Sequence, residues 1–261
     1  MTSTGSDGPR EGQDLDLPAA MFRTGDDPLP LVVPMARREA GLVNADVFYT
    51  EVDGVALVEG DIAVDVSGEP GDRGIGITGT QYRWPDGVIP FISHPLLRQR
   101  VDAAIQHWQD HTPFRFPQRA GETDYISFEA QTGCWSKVGR QGGRQVISLG
   151  GGCGLGSAIH EIGHAIGLWH EQSRSDRDQH IEILKANIDP RHLHNFDKHV
   201  QDGDDLGPYD TGSIMHYPPK AFSINGKPTI RTRGGEPIGQ RNGLSKGDLH
   251  ALQLMYPRLN W

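Results

Sequence analysis

His160, Glu161, His164, Gly167 and His170 form the run H-E-x-x-H-x-x-G-x-x-H inside Leu155 to Glu171. His160 and His164 stand at i and i+4, so on a helix both imidazoles leave the same face. Two neutral imidazoles at that separation can grip one zinc ion. Glu161 follows the first ligand and suits a general base acting on water at the metal. Gly167 lets the chain leave the helix through a left-handed turn. His170 can then return as a third ligand. Three protein ligands leave one coordination position open, as a catalytic zinc requires and a structural zinc does not.

The elements that must position these residues are a helix and its supports. The helix is expected to start near Ser157, a plausible N-cap, and to end at Gly167. Before it, Gly87 to Ser93 reads as a strand. Pro95 to His111 reads as a helix, with Leu97, Val101, Ala104, Ile105 and Trp108 on one face. Phe114 to Phe116 and Tyr125 to Phe128 alternate as half-buried strands do, and Val146 to Leu149 reads as another strand. Gly133 to Gly143 reads as a loop. Beyond the motif, Asn187 to Val200 reads as a helix opened by Asp189-Pro190. Its His192, His194 and His199 could suggest a second metal, but no carboxylate or cysteine framework accompanies them, which favours a solvated helix face. Ala221 to Ile230 reads as a hairpin around Asn225-Gly226. Ser245 with Asp248 is a capping pair for a last helix, which Leu249, Leu252 and Met255 would dock on the lower half of the domain.

Composition narrows the class. Of 261 residues, the first 74 hold 15 acidic and 5 basic ones, against 19 and 20 in the rest. Such a shift marks a segment boundary near residue 74. No basic face is implied, which argues against nucleic-acid binding. No apolar run approaches a membrane span. Met1 to Asp16 is polar and acidic, and Pro28 to Met35 is short and proline-broken, so no classical signal peptide is read. Residues 1–30 read as a loose tail. Short apolar stretches from Leu31 to Val66, with a tight turn at Asp53-Gly54, read as a segment that wraps another domain rather than one with its own core. Ser67 to Gly79 reads as an exposed linker.

The extended motif is similar to that of the metzincin metalloproteases, which carry a methionine turn downstream. Here that turn is Ser213-Ile214-Met215-His216-Tyr217. With His170 followed by Glu171, the chain resembles the astacin family over roughly Ile75 to Tyr256. The resemblance implies an α+β, two-lobed metzincin-like catalytic domain over 75–261. A mixed sheet and the zinc-binding helix would lie above the cleft, the Met-turn and C-terminal helix below. It implies one Zn2+ per chain on His160, His164 and His170, with Glu161 and Tyr217 catalytic. Tyr217 would serve as a further zinc ligand that swings away to hold the oxyanion. Met215 would be the apolar floor of the site; His216 is read as a packing residue. The strand at Val146 to Leu149 would be an edge that pairs with substrate backbone.

The same resemblance casts residues 1–74 as a tail and an inhibitory pro-segment. In Val58-Glu59-Gly60-Asp61-Ile62, Asp61 would ligate zinc in the latent form; read alone, the stretch is equally a solvated turn. Val58 stands where the family has an aromatic. Activation would follow cleavage near Arg73 to Ile75, after which Glu171 would link to the new N-terminus. Cys134 and Cys153 would be a disulfide in an oxidising compartment, or two free thiols. The family's second disulfide is missing: Pro113 stands near its first position. The implied function is a secreted or extracellular zinc endopeptidase acting on protein or peptide substrates, with an activating protease as partner and a monomer as the default state. The alternatives are a zinc-holding binding protein without turnover and a permanently latent protein. A preference for acidic residues after the cleavage point would need a basic group, with Lys220, Arg231 and Arg233 as candidates.

Overall fold

The computed structural model describes residues 29–35, 43–64, 79–198 and 204–261. The activation region near Arg73 to Ile75, linker residues 67–78, the tail 1–28, and His199 with Val200 lie outside the described residues.

Ten strands and three helices are present among them. The strands are β1 (Leu29–Met35), β2 (Val43–Val52), β3 (Val55–Val58), β4 (Ile62–Val64), β5 (Phe91–Ser93), β6 (Tyr125–Glu129), β7 (Cys134–Ser136), β8 (Arg144–Leu149), β9 (Ile181–Ile183) and β10 (Ile230–Thr232). The helices are α1 (Arg98–His111), α2 (Leu155–Ile166) and α3 (Lys246–Met255). Eight strands form one mixed sheet in the order β1-β2-β3-β4-β7-β8-β6-β5. Its N-terminal half is an antiparallel meander, and Asp53 and Gly54, at φ 50 and 81, make the expected tight turn between β2 and β3. The C-terminal half runs parallel through β5, β6 and β8, with β7 antiparallel to β8.

Two larger cores are buried among the described residues. In the larger, Val101, Ala104, Ile105 and Trp108 of α1 meet Ile159, Ile162 and Ile166 of α2 and Ile126, Phe128 and Ile147 of the sheet. This is the one-sided burial expected from the spacing in Pro95 to His111, with a 3₁₀ turn at Pro95–Leu97 before the α-helix. The smaller core holds Ile181, Ile188, Phe196, Tyr217, Phe222 and Ile230. Leu252 and Tyr256 belong to the larger core with Met215. Thus α3 packs on the larger core beside the Met-turn, and Leu249 and Met255 are only half-buried.

Several expectations need correction. Helix α2 begins at Leu155 with Gly154 as N-cap, and Ser157 lies buried inside it. The chain leaves the Cys153 disulfide and turns directly into the helix. Gly156 lies so close to Arg241 that a Cβ would stand 2.0 Å from its carbonyl oxygen. Of Asn187 to Val200, the described part forms no α-helix but a 3₁₀ segment, Pro190–Phe196, which Asp189 caps through the Arg191 N–H at 3.1 Å. Ala221 to Ile230 is not a hairpin: Ile230 opens β10, which pairs with β9. Ser223 Oγ donates to Lys227 O and Asn225 Oδ1 accepts from Lys227 N, so side chains satisfy this backbone instead of a ladder. Phe114 to Phe116 contributes only an isolated bridge from Arg115 to Val88. Strand β7 lies in what read as a glycine-rich loop. Because β7 and β6 flank β8, Val146 to Leu149 is interior and not an edge.

Candidate metal centre

Helix α2 is fixed at several points. Trp108 Nε1 donates to Ile159 O at 3.2 Å, Trp84 Nε1 to Ala165 O at 2.8 Å and the Tyr256 hydroxyl to Ile166 O at 2.7 Å. Two of these bonds satisfy carbonyls in the last helical turn, which have no partner within the helix. Gly167, at φ 130, ends the helix and turns the chain toward His170. Cys134 and Cys153 are bonded, tying β7 to the loop that leads into α2. Closing a loop of that length adds about 3 kcal/mol by chain entropy.

Donor atoms of Asp61, His160, His164 and His170 lie within 4.8 Å of one another, all buried. This is the one group of three or more metal-ligating side chains among the described residues. Asp61 Oδ2 is 3.3 Å from His160 Nε2, and its Oδ1 is 3.9 Å from His164 Nε2 and 3.2 Å from His170 Nε2. His160 Nε2, His164 Nε2 and Asp61 Oδ1 have no hydrogen-bond partner although buried. Buried polar atoms are normally paired. One cation between them satisfies all three, and imidazole with carboxylate suits zinc.

The outer ring nitrogens orient the ligands. His160 Nδ1 donates to Ile214 O and His164 Nδ1 to Leu168 O, each at 2.8 Å. His170 Nδ1 donates to Glu59 Oε2 at 2.6 Å. Glu59 and Asp61 both come from the turn between β3 and β4.

From the chain's own charges, the cluster is strongly polarised. Burial alone pushes the Asp61 carboxyl up, but the His170 charge and the adjacent His160 and His170 rings outweigh it and hold it well below the carboxylate range. Burial and then the Asp61 charge push Glu161 well above its usual value, against the pull of Arg241. Burial lowers His160 to about 4, aided by the Arg241 charge. His170 goes the other way, to about 9: burial opposes the shift, but the Asp61 and Glu59 carboxylates carry it. Both oxygens of Glu161 are buried without a hydrogen-bond partner beside the cluster.

Met215 lies buried beneath α2, where a Cβ on Gly163 would come within 2.8 Å of its Sδ. Its turn is held by Asp248, which accepts from Ser213 Oγ at 2.6 Å and Ile214 N at 3.0 Å. Asp248 also forms the expected capping box with Ser245 at the start of α3. His216 is buried, donating Nδ1–H to Tyr217 O and accepting from the Tyr209 hydroxyl, both at 2.8 Å. The Tyr217 hydroxyl donates to the backbone carbonyl of Glu59. Glu171 borders a cavity of about 70 Å³ with Arg83, Arg174 and Asp204. Burial pushes its carboxyl up to about 8 against the Arg174 charge.

Sequence reasoning missed Glu59 and Arg241. Arg241 is half-buried and donates from Nη1 to Ile214 O, His216 O and Gln240 O. Its Nε and Nη2 have no partner, and its charge acts on Asp61 and Glu161. Lys220, Arg231 and Arg233 are surface groups: Lys220 is exposed, Arg231 pairs with Glu182, and Arg233 donates to Asp178 O.

Residues 76–257 match the family model described as Astacin, a peptidase family. Blastula protease 10 of Paracentrotus lividus is 43% identical over 191 residues, covering 67% of this chain and 32% of that protein. Meprin A subunit beta of Homo sapiens is 39% identical over 228 residues, covering 83% of this chain and 32% of its own. Residues 76–261 make up less than three quarters of the chain, so the meprin similarity reaches into the N-terminal segment. The chain spans about a third of the length of these two relatives. The solved structure of High choriolytic enzyme 1, a hatching enzyme zinc-protease from Oryzias latipes, matches with a TM-score of 0.63 and 40% identity. That match covers 67% of this chain and 92% of that one.

Proposed function

This chain belongs to the astacin family of peptidases, and from that premise and the geometry of its buried cluster we propose that it is a zinc-dependent endopeptidase made in a latent form. The observation that carries the reading is the Asp61 carboxylate, buried among the Nε2 atoms of His160, His164 and His170.

His160, His164 and His170 would hold the zinc, one per chain; bound there, it would supply Lewis acidity toward the scissile carbonyl and lower the pKa of water. Glu161 takes the proton from the attacking water and returns it to the leaving amine. Its burial, and the absence of any competing hydrogen bond, suit that role. Tyr217 donates its hydroxyl to the oxyanion; in the latent form that hydroxyl is engaged by the Glu59 carbonyl. A zinc-holding protein without turnover would have no use for a carboxylate buried beside the ligands at the cost of its own desolvation.

Residues 1–74 act as tail and pro-segment, and 75–261 as the catalytic domain. Strand β4 pairs with β7 in parallel, at Ile62 and Ser136, and so covers the edge an extended substrate would use. Asp61 stands where the attacking water must enter. Cleavage near Arg73 to Ile75 frees the segment, and the new N-terminus enters the cavity beside Glu171. Arg241 is the basic group that recognises an acidic residue following the scissile bond, since its Nε and Nη2 are cationic donors left without a partner and its charge reaches Asp61 and Glu161. The Cys134–Cys153 disulfide fits an oxidising, extracellular setting.

The test is the uncut Asp61→Ala chain loaded with zinc. Its casein hydrolysis should exceed that of the uncut parent by at least about tenfold, the size of an outer or inner ligand effect on such sites. Unchanged activity removes the latency role from Asp61.

A further inference from the structure

The three histidines differ in who holds their outer nitrogens. His160 Nδ1 and His164 Nδ1 donate to Ile214 O and Leu168 O, carbonyls of the matched peptidase domain itself. His170 Nδ1 donates to a carboxylate 111 residues earlier in the chain, Glu59 Oε2. The other oxygen of Glu59 accepts from Ser173 Oγ. Glu59 is buried and sits at φ 52, beside Gly60 at φ 81. The same pair of left-handed angles makes the tight turn at Asp53-Gly54, so the backbone here is that of a tight turn between paired strands. It aims Glu59 and Asp61 at the same cluster from one turn. A carboxylate on the outer nitrogen of a metal-bound histidine fixes its tautomer and ring orientation and makes it a more basic ligand.

We infer that Glu59 is a positioning residue for the metal: the N-terminal segment orients His170 and makes the latent chain hold zinc more tightly than the cut one. The inference rests on the zinc-site reading above. The segment then does more than block the cleft. It completes the outer shell of the third ligand while the site is being loaded. Cleavage removes that support, and Ser173 Oγ loses its partner at the same moment.

The experiment is zinc release from the full, uncut chain to a chromogenic chelator, compared with uncut Glu59→Gln. The variant should release zinc about tenfold faster or more. Slowed amide exchange at Leu57 and Ala63 confirms that β3 and β4 remain paired. In the parent, the His170 Nδ1–H should give a slowly exchanging, far-downfield proton signal that Glu59→Gln, whose neutral amide oxygen is a weaker acceptor, shifts upfield. Equal release rates, with the strands still paired, overturn the proposal. Should Glu59→Gln undock the segment, uncut Asp61→Ala decides. It keeps Glu59, and so should still release zinc about tenfold more slowly than the cut parent; equal rates there also overturn it. A parent that binds no zinc at one per chain takes the proposal down with the reading it rests on.

Discussion

Glu161 and Arg241 are two ionisable residues with buried atoms that hydrogen bonding within the chain does not satisfy. For Glu161 the expected consequence is sharp. Glu161→Gln should keep one zinc per chain by metal analysis yet lose at least about 10²-fold in casein hydrolysis after the N-terminal segment is cut; retained turnover would refute its role as base. For Arg241 the measurement is a ratio. Arg241→Gln should cut by about tenfold or more the preference, in kcat/KM, for aspartate over alanine following the cleaved bond, as expected when a charged partner is lost. The ratio is independent of how much enzyme is active. An unchanged ratio places specificity elsewhere. The inner ligands were legible in the sequence because i, i+4 spacing on a helix converts directly into a shared face. Glu59 and Arg241 were not, because each acts on the cluster from a distant part of the chain and no local period connects them. The surface arginines 231 and 233 drew attention only because sequence does not report burial.

Among the elements, those with strong period or turn chemistry were readable and those set by tertiary contact were not. The apolar stripe of α1, the Asp53-Gly54 turn and the Ser245–Asp248 capping box all appear as read. Strand β7 escaped notice because three residues in a glycine-rich stretch carry no alternation; neighbours β4 and β8 make it a strand. The start of α2 was misplaced because Ser157 has the chemistry of an N-cap, while the disulfide and the Arg241 loop impose an earlier start. That close approach gives a prediction. Gly156→Ala would place a Cβ 2.0 Å from the Arg241 carbonyl oxygen, and backbone cannot retreat as a flexible side-chain tip can. The variant should be destabilised by about 1–3 kcal/mol in urea denaturation, the usual cost of overpacking. A change under about 0.5 kcal/mol, the scale of an ordinary surface substitution, would show that the loop yields freely.

At the scale of the whole molecule, one sheet joins the N-terminal strands to those beside the metal helix. Strands β5 to β8 support the metal helix, and β1 to β4 extend the same sheet across its edge. Val52, Leu57 and Ala63 pack with Trp135, and Ile62 with Val138, so the N-terminal strands borrow their core from the domain they cover. The charge step near residue 74 pointed to a boundary, but only the pairing of β4 with β7 shows what the segment lies against. The two buried acids of the β3–β4 turn then make the site and its cover one unit. The most direct measurement is a time course of limited trypsin cutting near Arg73 on the zinc-loaded chain, following casein hydrolysis with and without o-phenanthroline. The account predicts activity that rises with the fraction of chain cut and disappears with the chelator. Full activity before any cut, or activity that the chelator leaves intact, would contradict it.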